Sequence, residues 1–262
     1  MIRVVKIGGR AQQAPALIPA LASAWRTTPG ALVVIHGGGD DVTALQRAMG
    51  RDPQFIDGRR VTTDDDIAIL RMTLSGVVNK RLVAPLVADG IPAVGVSGED
   101  AGLLSAEPID TATMGRAGEP SQVDVRLVRH LLEGGFLPVI SPLARDARSQ
   151  SGDALNVNGD DAAAALAAAL GATELLFIAD VPGVLDKGDV LPSLDVDRMR
   201  ALITARTVTA GMIAKLEASH RALAGGVARV RIADLAALAD ANCGTRIVAT
   251  TTVPHAFTST LA

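Results

Sequence analysis

Residues 31–40 read Ala31-Leu32-Val33-Val34-Ile35-His36-Gly37-Gly38-Gly39-Asp40. An apolar run of strand length stops on a histidine, passes through three glycines and leads into a helical stretch at 42–49. A strand that is apolar at successive positions, without alternation, is covered on both faces. Consecutive glycines let the backbone turn sharply and come close to a ligand, and free N–H groups at the following helix start attract an anion. The chain opens in the same way. Residues 2–7 form a strand candidate closed by Lys6-Ile7-Gly8-Gly9, with Lys6 beside any anion held there. Taken alone, that tetrapeptide also fits an ordinary strand–helix turn with an exposed lysine.

Outward from these two turns the pattern repeats. Further strand candidates lie at 93–96, 137–141, 174–180, 228–232 and 245–249, and helical candidates at 15–27, 63–89, 123–133, 160–170, 212–224 and 235–241. Within 63–89, Ile67, Leu70, Leu74 and Val78 recur at three- and four-residue spacing, giving one apolar face. Pro85 is expected to end or kink that helix. Strand–helix alternation predicts an α/β fold: a three-layer αβα sandwich around a mainly parallel open sheet. Two segments break the alternation, 54–63 and 101–122, and read as loops or hairpins over an open edge where sites tend to sit.

Composition removes several classes of function. The chain has 262 residues, 48% hydrophobic and 20% charged, with a net charge of −3, which suits a packed core and not a disordered chain. A slightly acidic balance and 2% aromatic residues argue against a nucleic-acid surface. The lone Cys243 excludes an internal disulfide framework and any multi-cysteine metal site, and His36, His130, His220 and His255 lack a metal-binding spacing. No apolar stretch is long enough to span a bilayer, and residues 1–6 do not read as a signal peptide, so a cytoplasmic protein is expected.

Four segments carry candidate chemistry. The triple glycine lacks the third glycine of a dinucleotide-binding turn, since Val42 stands in its place, and no Walker A sequence occurs. Arg59-Arg60 offers a fork for a carboxylate, although either arginine taken singly reads as a solvated surface residue. Asn156-Val157-Asn158-Gly159-Asp160-Asp161 precedes an alanine-rich helix. A helix cap needs only one of the four polar residues that surround this glycine. Ala210-Gly211-Met212-Ile213-Ala214-Lys215 opens another helix with Lys215 about one turn in, and alone it reads as an exposed helical lysine.

Together these segments resemble the amino acid kinase superfamily, and within it the N-acetylglutamate kinases. The match runs in order through Lys6-Ile7-Gly8-Gly9, His36-Gly37-Gly38-Gly39, Gly58-Arg59-Arg60-Val61-Thr62 and Leu74-Ser75-Gly76-Val77-Val78-Asn79-Lys80. It continues through Ala93-Val94-Gly95-Val96-Ser97-Gly98, Leu137-Pro138-Val139-Ile140, Asn156-Val157-Asn158-Gly159-Asp160, Asp180-Val181-Pro182-Gly183-Val184-Leu185 and Gly211-Met212-Ile213-Ala214-Lys215.

The resemblance implies two lobes, residues 1–171 for the amino-acid substrate and dimerisation and 172–262 for ATP. It implies ATP-dependent phosphorylation of the side-chain carboxylate of N-acetyl-L-glutamate, a step of arginine synthesis, with Mg2+ held mainly by phosphates and water. Lys6 and Lys215 match two lysines flanking the transferred phosphoryl group, and Asp160 the acid that holds both. Gly8 and Gly9 match the turn that holds phosphate oxygens, while Gly38, Gly39, Arg60 and Asn156 match the acceptor site. Asp180, Val181, Pro182, Gly183, Val184 and Leu185, with Thr207, Val208, Thr209 and Gly211, match the nucleotide site. Close relatives phosphorylate N-succinylglutamate or carrier-linked aminoadipate, and a non-catalytic nucleotide-binding regulator on the same fold is a more distant alternative. Arginine-inhibited hexamers of the family carry an extra N-terminal helix. This chain starts five residues before Lys6, so an arginine-insensitive homodimer is expected, with the 63–89 helix near its interface.

Overall fold

The computed structural model describes residues 1–205 and 207–249. Residue 206 and residues 250–262, the latter including His255 and the end of the expected C-terminal lobe, lie outside the described residues.

The chain begins β1 (Arg3–Ile7), α1 (Leu17–Thr27), β2 (Leu32–His36) and α2 (Gly39–Ala48). A hairpin follows, β3 (Phe55–Ile56) and β4 (Arg59–Arg60), and then α3 (Asp64–Leu70) runs through a π-helical stretch, Arg71–Val78, into α4 (Asn79–Ala88). Next come β5 (Ala93–Ser97), β6 (Leu104–Pro108), β7 (Ala117–Val123), α5 (Arg126–Glu133), β8 (Leu137–Ser141), β9 (Leu143–Asp146), β10 (Ala154–Val157) and α6 (Gly159–Leu170). The last part contains β11 (Glu174–Ile178), the hairpin β12 (Leu185–Asp186) and β13 (Asp189–Val190), β14 (Ser193–Asp195), α7 (Val196–Thr204), α8 (Ala210–Ala224), β15 (Val230–Ala233) and β16 (Thr245–Val248).

Eight strands form one sheet in the order β14-β16-β15-β11-β1-β2-β8-β5. Neighbours run parallel except β15 and β16, which are antiparallel. β1, β2, β8 and β11 are buried at nearly every position because helices cover both faces. Helices α6 and α8 pack together on the sheet, and α1 packs with α4. A closed four-stranded barrel, β10-β7-β6-β9, sits beside the main sheet. Of the two interrupting segments, 54–63 is thus the β3–β4 hairpin and 101–122 supplies the barrel strands β6 and β7 with the loop between them. No helix among the described residues is long and apolar enough to cross a membrane.

The expected strands all form, with ends moved by two residues at most. The 63–89 helix keeps its apolar face, with Ile67, Leu70, Leu74 and Val78 all buried. Its interior widens to π geometry, and Pro85 neither ends nor breaks it, since α4 continues to Ala88. Pro85 and Arg81, whose carbonyl would have met the missing N–H, both lie on the exposed face, where the carbonyl is open to solvent and costs little. The 235–241 helix is only a 3-10 turn, Leu235–Leu238. Helix α7 was not among the expected elements. Asp195 caps it by accepting from Arg198 N at 2.8 Å, and Val196, Met199 and Leu202 bury its apolar face.

β1 pairs with β2 on one side and β11 on the other, while the chain leaves β1 toward β2. The glycine turns after β1 and β2 therefore open side by side at carboxyl ends of central strands, where open α/β sheets hold ligands.

Candidate active site

Lys6 is the fourth residue of β1, and its ammonium passes under the glycine turns to α6. Asp160 stands in the first turn of that helix. The cap is supplied by Asn158, which accepts from Asp160 N at 2.8 Å, so the Asp160 carboxylate is free for other partners. Its Oδ1 lies 2.8 Å from Lys6 Nζ, an ion pair without aligned hydrogen-bond geometry, and its Oδ2 accepts from Lys215 Nζ at 3.3 Å. Lys215 comes from α8, whose first turn is capped by Thr209 accepting from Met212 N. One carboxylate thus bridges two ammonium groups brought from opposite halves of the chain.

The bridge is largely buried, with Lys6, Asp160 and Lys215 side chains 7%, 6% and 12% exposed. Burial pulls the Lys6 ammonium below the usual lysine value, Asp160 opposes this, and the Lys215 charge adds to the lowering. Burial pushes the Asp160 carboxyl up, but the two ammonium groups together outweigh it and hold the group below the ordinary carboxylate range. The site therefore carries a net positive charge suited to phosphoryl oxygens. Gly37 and Gly159 face Lys6: a Cβ on Gly37 would lie 3.8 Å from Lys6 Nζ, and one on Gly159 would press to 3.3 Å from Lys6 Cε.

Both glycines line an open cleft, together with Gly38, Gly39, Arg60 and Asn156. Gly38 has φ of +152°, and a Cβ there would meet Leu74 Cδ2 at 2.7 Å. The π-helical stretch thus packs straight onto the turn, and only glycine suits the position. Helix α2 begins at Gly39, so its positive end faces the cleft.

Arg60 is buried beneath the hairpin. Its Nη2 donates to Gly39 O and Thr43 Oγ1, both at 2.8 Å, its Nη1 donates to Gln46, and its guanidinium lies 4.7 Å from the Phe55 ring centroid. Gln46 is held in turn by Asp66 at 2.8 Å. This framework fixes the fork, and sequence reasoning missed its members. Thr43 and Gln46 share a helix face but carry no motif, and their role depends on the hairpin folding back over α2. Asn156 Nδ2 donates to Thr62 Oγ1 at 2.9 Å, which ties β10 to the same hairpin.

The residues matching the nucleotide site separate into two groups. Gly8 N–H is engaged by Ile178 O at 3.0 Å, so it extends the sheet, and of the pair only Gly9 donates no backbone hydrogen bond among the described residues. Asp180 is exposed beyond β11 and pairs with Arg10 at 2.8 Å, Val181 is half-buried against the main core, and Pro182 is exposed. Gly183 and Val184 are buried, with Val184 N donating to Thr245 Oγ1 at 2.8 Å. They anchor the loop, and Leu185 starts the β12–β13 hairpin. Thr207 folds back on Leu202 O, and Thr207, Thr209 and Gly211 are exposed around the start of α8, with Val208 half-buried.

His36, fully buried at the end of β2, supports the turn from below. Its Nδ1 lies 2.8 Å from Gly37 O and its Nε2 3.2 Å from Asn79 Nδ2. Since a carbonyl only accepts, Nδ1 carries the proton and Nε2 accepts from the amide. Burial lowers its pKa from 6.5 to about 4. Between those values the unfolded chain takes up a proton that the folded one refuses. Stability should be full above pH 6.5 and fall, by about 3 kcal/mol in all, as pH drops toward 4. Urea unfolding at pH 7.5 and pH 5, compared with the same slope in His36→Gln, measures this. Equal slopes in both proteins would refute the assignment.

Residues 1–234 match the amino acid kinase family. The chain belongs to this family. Among curated amino acid kinase relatives, the acetylglutamate kinase of Chloroflexus aggregans (strain MD-66 / DSM 9485) is 41% identical, covering 94% of this chain and 96% of its own. The acetylglutamate kinase of Geobacillus kaustophilus (strain HTA426) is 44% identical over 77% of each chain. Among solved structures, smu.665 of Streptococcus mutans UA159 superposes with a TM-score of 0.84 at 31% identity, covering 94% of this chain and 98% of that one. The amino acid kinase fold expected from the motif order is the fold observed.

Proposed function

We propose that this chain is an acetylglutamate kinase, which transfers the γ-phosphoryl group of ATP to the side-chain carboxylate of N-acetyl-L-glutamate in arginine biosynthesis. The observation that carries the reading is the Lys6–Asp160–Lys215 bridge beside the glycine-lined cleft. The acceptor carboxylate is ionised at neutral pH and needs no general base. Its oxygen forms a bond to the γ-phosphorus as the bond to the β–γ bridging oxygen breaks, and ADP leaves. Charge spreads over the equatorial oxygens, so positioning and cations do the catalysis. Lys6 and Lys215 flank the phosphoryl group, Asp160 sets their spacing, and the N–H groups of Gly9, Gly38 and Gly39 receive oxygens. Arg60 and Asn156 hold the acceptor in residues 1–171, and Asp180 through Leu185 with Thr207, Val208, Thr209 and Gly211 hold the nucleotide in the part from 172 onward.

Among the described residues no group of three or more His, Cys, Asp or Glu converges to cage a metal. On this reading Mg2+ would arrive with ATP, held mainly by phosphates and water, where it would offset polyphosphate charge. Two carrier-free relatives of the substrate, N-succinylglutamate and N-acetyl-aminoadipate, would fill the same cleft. A parallel assay with the three acceptors, trapping each acyl phosphate with hydroxylamine, tests the choice. Preference for either alternative by kcat/KM would reassign the substrate. Arg60→Ala should chiefly raise KM for the acceptor and leave that for ATP little changed, and equal rises in both would remove Arg60 from the acceptor site. A cytoplasmic, arginine-insensitive homodimer completes the reading, and sedimentation with and without arginine checks the assembly.

A further inference from the structure

Arg59 and Arg60 are adjacent in β4, so their side chains point to opposite faces of the hairpin. Arg60 turns in to α2, and Arg59 turns across to α6. There its Nη1 lies 2.8 Å from Asp161 Oδ2, and its Nη2 lies 3.4 Å from Glu119 Oε1. The other oxygen of Asp161 accepts from Arg221 of α8. The Asp161 side chain is only 4% exposed, whereas those of Arg59 and Arg221 are 23% and 47% exposed. Nothing in the phosphoryl-transfer mechanism uses Asp161, yet it repeats the geometry of Asp160 one residue on. Each carboxylate joins a cation from the first part of the chain to a cation from α8.

A second contact links the same two elements. The hairpin tip lies over the start of α8: a Cβ on Gly58 would sit 3.7 Å from Ala210 Cβ. Helix α8 is thus met by the hairpin near its first residue and tied to it, through Asp161, at Arg221. Lys215 lies between these two points.

We infer that Asp161 is a positioning residue whose Arg59–Asp161–Arg221 relay couples closure of the acceptor hairpin to placement of Lys215. This rests on the kinase reading above. Asp161 stands in the first turn of α6 and holds one arginine from the hairpin and one from α8. When both are docked, the tip of the hairpin seats on α8 and water is kept from the carboxylate, which strengthens both ion pairs. When either element swings out, the tip contact is lost and a buried carboxylate is left with one partner. An acceptor that holds the hairpin docked would therefore favour the arrangement of α8 that ATP needs, and by linkage ATP would favour acceptor binding equally.

The test is the coupling factor between the two substrates. It is the ratio of acceptor dissociation constants without and with saturating non-hydrolysable ATP analogue, measured by calorimetry on the full chain. We expect roughly fivefold or more in the natural protein. The factor should fall toward one in Arg59→Gln, Arg221→Gln and Asp161→Asn, fall no further in the Arg59→Gln/Arg221→Gln double variant, and recover in part in Arg221→Lys. A merely structural role would lower the melting temperature and leave the factor in place. Arg221 is half-exposed, so its variants carry the test should Asp161→Asn fail to fold. A natural protein that turns over substrate but keeps the same factor in the Arg59 and Arg221 variants would overturn the relay alone. A natural protein without turnover on any of the three acceptors would overturn the kinase reading and the relay with it.

Discussion

Lys215→Ala is expected to lower kcat by about 10²-fold or more, the usual consequence of removing one preorganised charge that acts on the transition state. The variant should still fold. Asp160 keeps its 2.8 Å ion pair with Lys6, so no buried charge is left alone. Helix α8 also retains its Thr209 cap and its apolar residues Leu216, Ala218 and Ala222 in the core. KM for ATP should change little compared with kcat, because the lost interaction is strongest when charge has spread over the transferring group. Steady-state kinetics on a purified variant with a native circular dichroism spectrum checks this. Near-normal turnover would exclude Lys215 from the mechanism.

Asp160→Ala should damage both stability and turnover. Removing one member of a buried ion pair typically costs about 3–5 kcal/mol, because the partner remains buried without its counter-charge. Here two ammonium groups lose the same partner, and Lys6 is almost wholly buried and already lowered by that burial. The Lys6 ammonium would then lose its proton more readily or pull water into the site, and either change removes the fixed cation that phosphoryl oxygens need. Urea unfolding gives the stability term, and hydroxylamine trapping gives the turnover. Lys6→Met on top of Asp160→Ala should restore part of the lost stability without restoring activity, since it removes the orphaned charge. A single variant as stable as the natural protein would show that the bridge is not the electrostatic centre described above.

Much of the architecture was legible because apolar runs report burial directly. β1, β2, β8 and β11 had to be covered on both faces, and a sheet covered on both faces with intervening helices has few solutions. The misses have equally local causes. Helix α7 carried its own signals, an Asp195 cap and Val196, Met199 and Leu202 at three-residue spacing, but a short helix after a polar loop competes poorly for notice. Pro85 was read by its missing N–H alone, whereas its place on the exposed face decides the cost.

The site divides along a similar line. By itself the sequence determined which backbone could approach a phosphate, because the glycine runs at 8–9 and 37–39 can turn sharply and put no side chain in the way. It also determined which charged groups were available, since Lys6, Asp160 and Lys215 each follow a recognisable element start or end. Only the tertiary structure decided their pairing. Asn158 took the capping role in a run of four polar residues, which left Asn156 for Thr62, Asp160 for two lysines and Asp161 for two arginines. These partners lie tens of residues or more away in sequence, and a carboxylate accepts from whichever cation the fold brings within about 3 Å. Periodicity along one element carries no information about that distance. It is set where α6, α8 and the β3–β4 hairpin meet.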